Sequence, residues 1–123
     1  MGKVYLTSEF TFDAAHRLND YDGKCSQTHG HTYRLQVTVC GIPDLVTGLL
    51  MDFGALKDLV DRNVIDKVDH KDLTNVFKWN TTVEHLCVWA WGEIKPKLPD
   101  EVDLHEIKIW ETPTCHAAYR GGG

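Results

Sequence analysis

Hydrophobic and polar residues alternate from the start of the chain. Val4, Leu6, Phe10, Phe12 and Ala14 share one parity, with Ser8 the exception, while Tyr5, Thr7, Glu9, Thr11 and Asp13 share the other. A period of two, with one apolar and one polar set, predicts a strand that turns one face to a core and the other to water. The pattern returns with Tyr33, Leu35, Val37 and Val39 set against Thr32, Arg34, Gln36, Thr38 and Cys40. Gly41, Pro43, Asp44 and Gly48 then mark a turn.

The period next changes to that of a helix. Asp52 is placed to cap a helix that carries Leu56, Leu59, Val60 and Val64 on one face. A second helix opens at Thr81, with Glu84 three residues on completing a capping box. Its apolar stripe is Val83, Leu86, Cys87, Ala90 and Ile94. Lys95 and Lys97 suit the negative end of the helix dipole, and Pro96 and Pro99 stop it. Two strands follow: one puts Ile107, Ile109 and Glu111 on one face, and a short one contains Ala118 and Tyr119. The order ββααββ predicts a single α+β domain over residues 1–123, with two helices on one face of an antiparallel sheet. The outward row Thr32, Arg34, Gln36 and Thr38 carries one charge, and the sheet has two edges to cover. The row can face water or line a closed assembly, and covering the edges predicts oligomerisation through them.

Composition narrows the class. The chain has 123 residues, enough for one core, with 42% hydrophobic and 25% charged residues, which is ordinary for a folded domain. A net charge of −5 argues against a general nucleic-acid or anionic-membrane surface. No apolar run reaches the length of a membrane span, and the N-terminus lacks a signal-peptide core. Cytoplasmic location is the expectation. Cys25, Cys40, Cys87 and Cys115 form no C-x-x-C pair and are expected as reduced thiols.

Three histidines carry the chemistry. His16 continues the inner parity of Phe12 and Ala14, and His29 and His31 continue that of Tyr33 and Leu35. If both strands hold register, the three imidazoles leave one face near one end of the sheet, with no side chain from Gly30 between the pair. An i, i+2 pair plus a histidine from the next strand makes a three-nitrogen metal site. Zinc accepts it and keeps a fourth position open, which is the catalytic arrangement. Iron or nickel also accept three histidines. A single histidine on an apolar face is most often a satisfied core residue; three on one face, two as H-x-H, reverse that preference.

Other groups are weaker alone. Cys25 precedes His29 by four residues, and a thiol near a cation has its thiolate favoured, making it a candidate base or nucleophile. Adjacent Asp69 and His70 can orient an imidazole for proton transfer. Glu111 extends an inner parity, where a carboxylate needs donors. Taken singly, each has a plain reading as a loop thiol, a solvated helix end or a surface charge. His85, His105 and His116, and the other three cysteines, have only that plain reading.

Taken together, Phe12-Asp13-Ala14-Ala15-His16 and Cys25-Ser26-Gln27-Thr28-His29-Gly30-His31 resemble the 6-pyruvoyl-tetrahydropterin synthase family. Met51-Asp52-Phe53, Asp69-His70-Lys71-Asp72-Leu73, Thr81-Thr82-Val83-Glu84 and Glu111-Thr112 follow in the family's order, so the resemblance spans nearly the whole chain. It implies the tunnelling fold, with subunits joined edge to edge into a barrel, two trimers stacked into a homo-hexamer, and active sites between subunits. It implies zinc on His16, His29 and His31, Cys25 as proton shuttle, and Asp69 and His70 as a second relay from a neighbouring subunit. Glu111 would anchor the amino-pyrimidine edge of a pterin, with contacts from Thr81 and Thr82.

The implied substrate is 7,8-dihydroneopterin triphosphate. Three residues between Cys25 and His29, together with the Glu111-Thr112-Pro113-Thr114-Cys115 tail, resemble the bacterial type. That type forms 6-carboxy-5,6,7,8-tetrahydropterin, acetaldehyde and triphosphate for queuosine and other deazapurines. Asn80-Thr81 departs from the Asn-Pro of many bacterial members. The alternatives are pyruvoyl-type triphosphate elimination, a pterin side-chain aldolase, and a non-catalytic zinc-bearing binding protein.

Overall fold

A computed structural model describes residues 2–18 and 27–122. The two alternating segments form long strands, β1 (Val4–His16) and β2 (His29–Gly41), paired antiparallel over their whole length from Val4 opposite Gly41 to His16 opposite His29. After β2 the chain forms α1 (Phe53–Val60), α2 (Asp66–Val68), the two-residue β3 (Lys71–Asp72) and α3 (Leu73–Val76). It continues with α4 (Val83–Ile94), β4 (Asp103–Thr112) and β5 (Cys115–Tyr119). The sheet order is β3-β1-β2-β4-β5. All pairs are antiparallel except β3, which lies parallel to β1 at Ala14 and Ala15. The sheet is therefore mixed, where alternation predicts a purely antiparallel one. A two-residue strand is too short to leave a periodic signal.

The core lies between the sheet and the helices. Phe12, Tyr33, Leu35, Val37, Ile107 and Ile109 come from the inner parity of three strands, and each is 2% exposed or less. Leu56, Val60, Val64 and Val68 meet them from the helical side. Those four residues are spaced by four, and on an ideal α-helix each such step drifts about 40° around the axis. A wide π turn at Asp61–Ile65 between α1 and α2 takes up the drift and keeps Val64 and Val68 on the core side. The sequence stripe ended at Val64 and did not contain this turn.

Asp52 caps α1 as expected, accepting from Ala55 N at 3.1 Å. The second cap moves by one residue. Thr82, not Thr81, accepts from His85 N at 3.2 Å, and Thr81 is buried at the end of β1 instead. Both threonines satisfy a capping pattern, and packing against His16 selects between them. On β4, His105 is an extra residue between the partners of Thr38 and Val39, so a bulge returns Ile107 and Ile109 to the core face.

The outer sheet face satisfies itself laterally. Thr7 and Thr38 hydroxyls lie 2.8 Å apart, Gln36 donates to Glu9 at 3.0 Å, and the Arg34 guanidinium lies 3.9 Å over the Trp110 ring. Among the described residues no helix is long and apolar enough to cross a membrane. Cys40, Cys87 and Cys115 are free thiols, and burial pushes Cys87 up to about 12.

Gly41 ends β2 where a side chain would have no room. A Cβ there would lie 2.6 Å from Leu50 Cδ1 and 2.8 Å from the Glu101 carbonyl oxygen. The leucine could turn aside, but the carbonyl is backbone. Gly41→Ala is expected to destabilise the fold by about 1–3 kcal/mol, the usual cost of overpacking. Urea unfolding of the two proteins measures it, and an unchanged midpoint would contradict the close approach.

Candidate metal centre

The full-length register of β1 and β2 brings His16 opposite His29 and puts His31 two residues along the same face. Their Nε2 atoms converge. His16 Nε2 is 3.2 Å from His29 Nε2, and Glu111 Oε1 is 3.3 Å from His16 Nε2 and 3.1 Å from His31 Nε2. One donor atom from each of the four residues lies within 4.8 Å of all the others. Glu111 lies on the same side of the sheet as the three imidazoles, and its carboxylate reaches in among their nitrogens.

Main-chain carbonyls fix two of the tautomers. His16 Nδ1 is 2.8 Å from Thr81 O, and His29 Nδ1 is 2.8 Å from Gln27 O. A carbonyl only accepts, so both Nδ1 atoms carry hydrogen, and a neutral ring then presents its Nε2 lone pair to the centre. His31 Nε2 is buried and makes no hydrogen bond; Glu111 stands at ion-pair distance without hydrogen-bond geometry. Burial holds His31 below the ordinary imidazole range; Glu111 pulls it up, and His16 and His29 add to the lowering. Lone pairs and a carboxylate oxygen facing one another repel unless a cation lies among them. The donor set fits zinc in chemistry and in number.

Tyr33 closes the inner side. Its ring stacks on Phe12 at 4.8 Å between centroids and meets the His31 ring at 5.5 Å and the His16 ring at 6.1 Å. Burial first, and Glu111 second, push the Tyr33 phenol far above its ordinary value, so it stays protonated. On the open side, a cleft of about 540 Å³ is lined by His31, Arg34, Trp110, Glu111 and Pro113 among others. A second cleft, of about 730 Å³, runs from His31 past Asp13 to His70 and Lys71. Gly30 lines both. A Cβ at Gly30 would meet only Ala14 O, at 3.8 Å, so glycine leaves open space there rather than relieving a clash.

The remaining expected site residues divide. Asp69 and His70 stand apart from the three histidines in a separate cluster with Asp13. Asp69 Oδ1 accepts from Asp13 N at 3.0 Å and lies 3.2 Å from His70 Nδ1. His70 has φ +60°, rare for a residue with a Cβ, and its N–H donates to Asp13 O at 2.7 Å. Its side chain is 74% exposed at the sheet edge. Thr81 and Thr82, expected beside a ligand, are engaged elsewhere. The Thr81 carbonyl holds His16 with its hydroxyl 3.4 Å from the same nitrogen, and Thr82 caps α4. Cys25 lies outside the described residues. Sequence reasoning missed the two carbonyl partners, which no side-chain pattern reveals, and the Asp13–Asp69 clamp. It also missed Tyr33 as the floor, although its i+2 relation to His31 was a usable signal.

Comparison with known proteins agrees across the chain. The family model described as 6-pyruvoyl tetrahydropterin synthase matches residues 5–122. A 6-pyruvoyl tetrahydrobiopterin synthase of Drosophila melanogaster is 35% identical over 134 residues, covering 96% of this chain and 80% of the relative. A 6-carboxy-5,6,7,8-tetrahydropterin synthase of Haemophilus influenzae is 31% identical over 141 residues, covering 94% and 97%. The fold is similar to that of the Caenorhabditis elegans 6-pyruvoyl tetrahydropterin synthase, with a TM-score of 0.88 at 29% identity, over 99% of this chain and 98% of that one.

Purified, chelator-free protein is expected to hold one divalent ion per chain by elemental analysis. His29→Ala should lose much of it, because one of the three converging imidazoles is gone. Full metal content in that variant would remove His29 from the site.

Proposed function

The chain belongs to the 6-pyruvoyl tetrahydropterin synthase family, and on that premise we propose that it converts 7,8-dihydroneopterin triphosphate to 6-carboxy-5,6,7,8-tetrahydropterin. Acetaldehyde and triphosphate leave, and the product serves deazapurine synthesis such as that of queuosine. The observation that carries the reading is the convergence of three imidazole nitrogens and Glu111 beside an open cleft. The three-residue interval from Cys25 to His29 supports the carboxy-forming reaction. Pyruvoyl formation is the second reading, favoured by the 35% identity of the Drosophila melanogaster and Dictyostelium discoideum relatives bearing that name.

Zinc on His16, His29 and His31 would supply Lewis acidity toward side-chain oxygens of the substrate and so acidify the neighbouring C–H bonds. The protein's residues do the rest. Thr81 O and Gln27 O hold His16 and His29 in the metal-binding tautomer. Cys25 removes and returns protons as a thiolate. His70, turned by Asp69 through Nδ1, offers Nε2 as a second proton carrier. Its place at the exposed sheet edge suits service to the site of a neighbouring chain. Glu111 accepts the two parallel N–H groups of a pterin, a strong and directional pairing. Thr81 acts through His16 rather than on the ring.

We further propose assembly into a hexamer of two trimers, joined at the β3 and β5 edges. The β2–α1 loop supports a contact between copies. Ile42, Leu45, Val46 and Leu49, followed by Phe53, are each more than half exposed.

Two tests follow. Incubation with 7,8-dihydroneopterin triphosphate and mass analysis should yield the carboxy product and acetaldehyde; a pyruvoyl product would overturn the first reading in favour of the second. In the same assay Cys25→Ala should keep its metal and lose turnover by roughly 10²–10⁴-fold, the range for a positioned acid–base group. Light scattering after gel filtration should give six times the chain mass, and Val46→Asp should lower it. A wild-type monomer would refute the assembly.

A further inference from the structure

A row of planar side chains crosses the outer face of the sheet beside the cleft. Strand register sets Thr11 opposite Arg34, Arg34 opposite Trp110 and Trp110 opposite His116. The Arg34 guanidinium lies 3.9 Å over the indole, and the His116 ring centroid lies 4.7 Å from that of Trp110. Arg34 is exposed, and among the described residues it has no carboxylate partner, unlike Arg62 on Asp58 and Arg120 on Glu106. The acids that flank Thr11 on the same face of β1 are taken: Glu9 accepts from Gln36, and Asp13 accepts from Thr32. Lys108, 5.6 Å from the same indole, stands 3.7 Å from Glu106. A guanidinium held over a ring uses its face there and keeps the N–H groups of its rim for another acceptor.

The cleft shows what that acceptor is. β2 extends beyond Arg34 to His29, whereas its pairing with β4 ends at Arg34 opposite Trp110. Past that last pair the cleft of about 540 Å³ is reached from both faces of the sheet. His31, Tyr33 and Glu111 line it from the inner parity, and Thr32, Arg34 and Trp110 from the outer. Among its lining residues Glu111 is the carboxylate and Arg34 the guanidinium. A ligand that suits both offers paired N–H donors at one end and an anionic group at the other.

We propose that Arg34, held in place by Trp110, binds the phosphate chain of the substrate, around the sheet end from the ring that Glu111 receives. The inference rests on the pterin reading above and extends it to the tail. Phosphate oxygens accept from two N–H groups of one guanidinium in a charge-assisted fork. Trp110 is a positioning residue: its indole keeps the guanidinium at the cleft wall. The pair selects phosphorylated pterins over unphosphorylated ones. It does not choose between the carboxy and pyruvoyl products, since triphosphate leaves in both reactions.

The test compares two oxidised pterins, neopterin triphosphate and neopterin, as ligands that are not turned over. Calorimetry is run on the metal-loaded wild type, Arg34→Gln and Arg34→Lys. Arg34→Gln should bind neopterin triphosphate about ten- to a hundredfold more weakly than the wild type does, with neopterin within about twofold. Arg34→Lys keeps a cation without the fork and should fall between the two. An unchanged affinity of Arg34→Gln for neopterin triphosphate would overturn the proposal and leave the pterin reading standing. Equal losses for both ligands, in a variant whose urea midpoint matches the wild type, would also overturn it, because Arg34 would then shape the cleft without touching phosphate. Where the glutamine variant is less stable, the lysine variant carries the same comparison. A wild-type protein that binds neither ligand would overturn the pterin reading together with the proposal.

Discussion

Everything at the cluster of His16, His29, His31 and Glu111 depends on the register between β1 and β2. The two strands pair over thirteen positions without a bulge, and the last pair is His16 opposite His29. A slip of one residue would send His16 to the other face while leaving His29 and His31 in place. The same slip would expose Phe10 and Phe12, which are almost fully buried. The hydrophobic core and the ligand set are thus specified by one alternation. The centre inherits its precision from the apolar residues that precede it on the same faces.

That dependence explains why so much was legible in the sequence. Period-two alternation put His16, His29, His31 and Glu111 on one face, and the structure brings all four together. What the sequence concealed falls into two kinds. Main-chain contacts leave no residue-type signal, so the partners of His16 and His29 could not be read. Choices between equivalent residues are settled only by packing: Thr81 and Thr82 both suit a helix start, and burial of Thr81 beside His16 gives the cap to Thr82. The two-residue β3 and the wide turn between α1 and α2 were hidden for a third reason. Each is shorter than the window in which periodicity can be recognised.

The edge of the sheet tells a different story from its centre. Asp69 does not approach the three histidines; it accepts from the backbone of Asp13, and His70 adopts a left-handed conformation to donate to the same residue. A residue with a Cβ enters that region at some cost, so surrounding contacts must hold it. Here two hydrogen bonds to one strand residue supply the restraint. The imidazole that results points away from the chain's own core, as a group presented to something outside would.

The anchoring of His16 and His29 by Thr81 O and Gln27 O bears on how such a centre survives sequence drift. A carbonyl oxygen belongs to every residue type, so replacing the side chain at either position leaves the acceptor standing as long as the backbone path is kept. Only the imidazoles themselves are chemically irreplaceable in that pairing. A lineage can therefore rewrite the neighbourhood of the two histidines while their orientation is passed on unchanged, by the trace of the main chain.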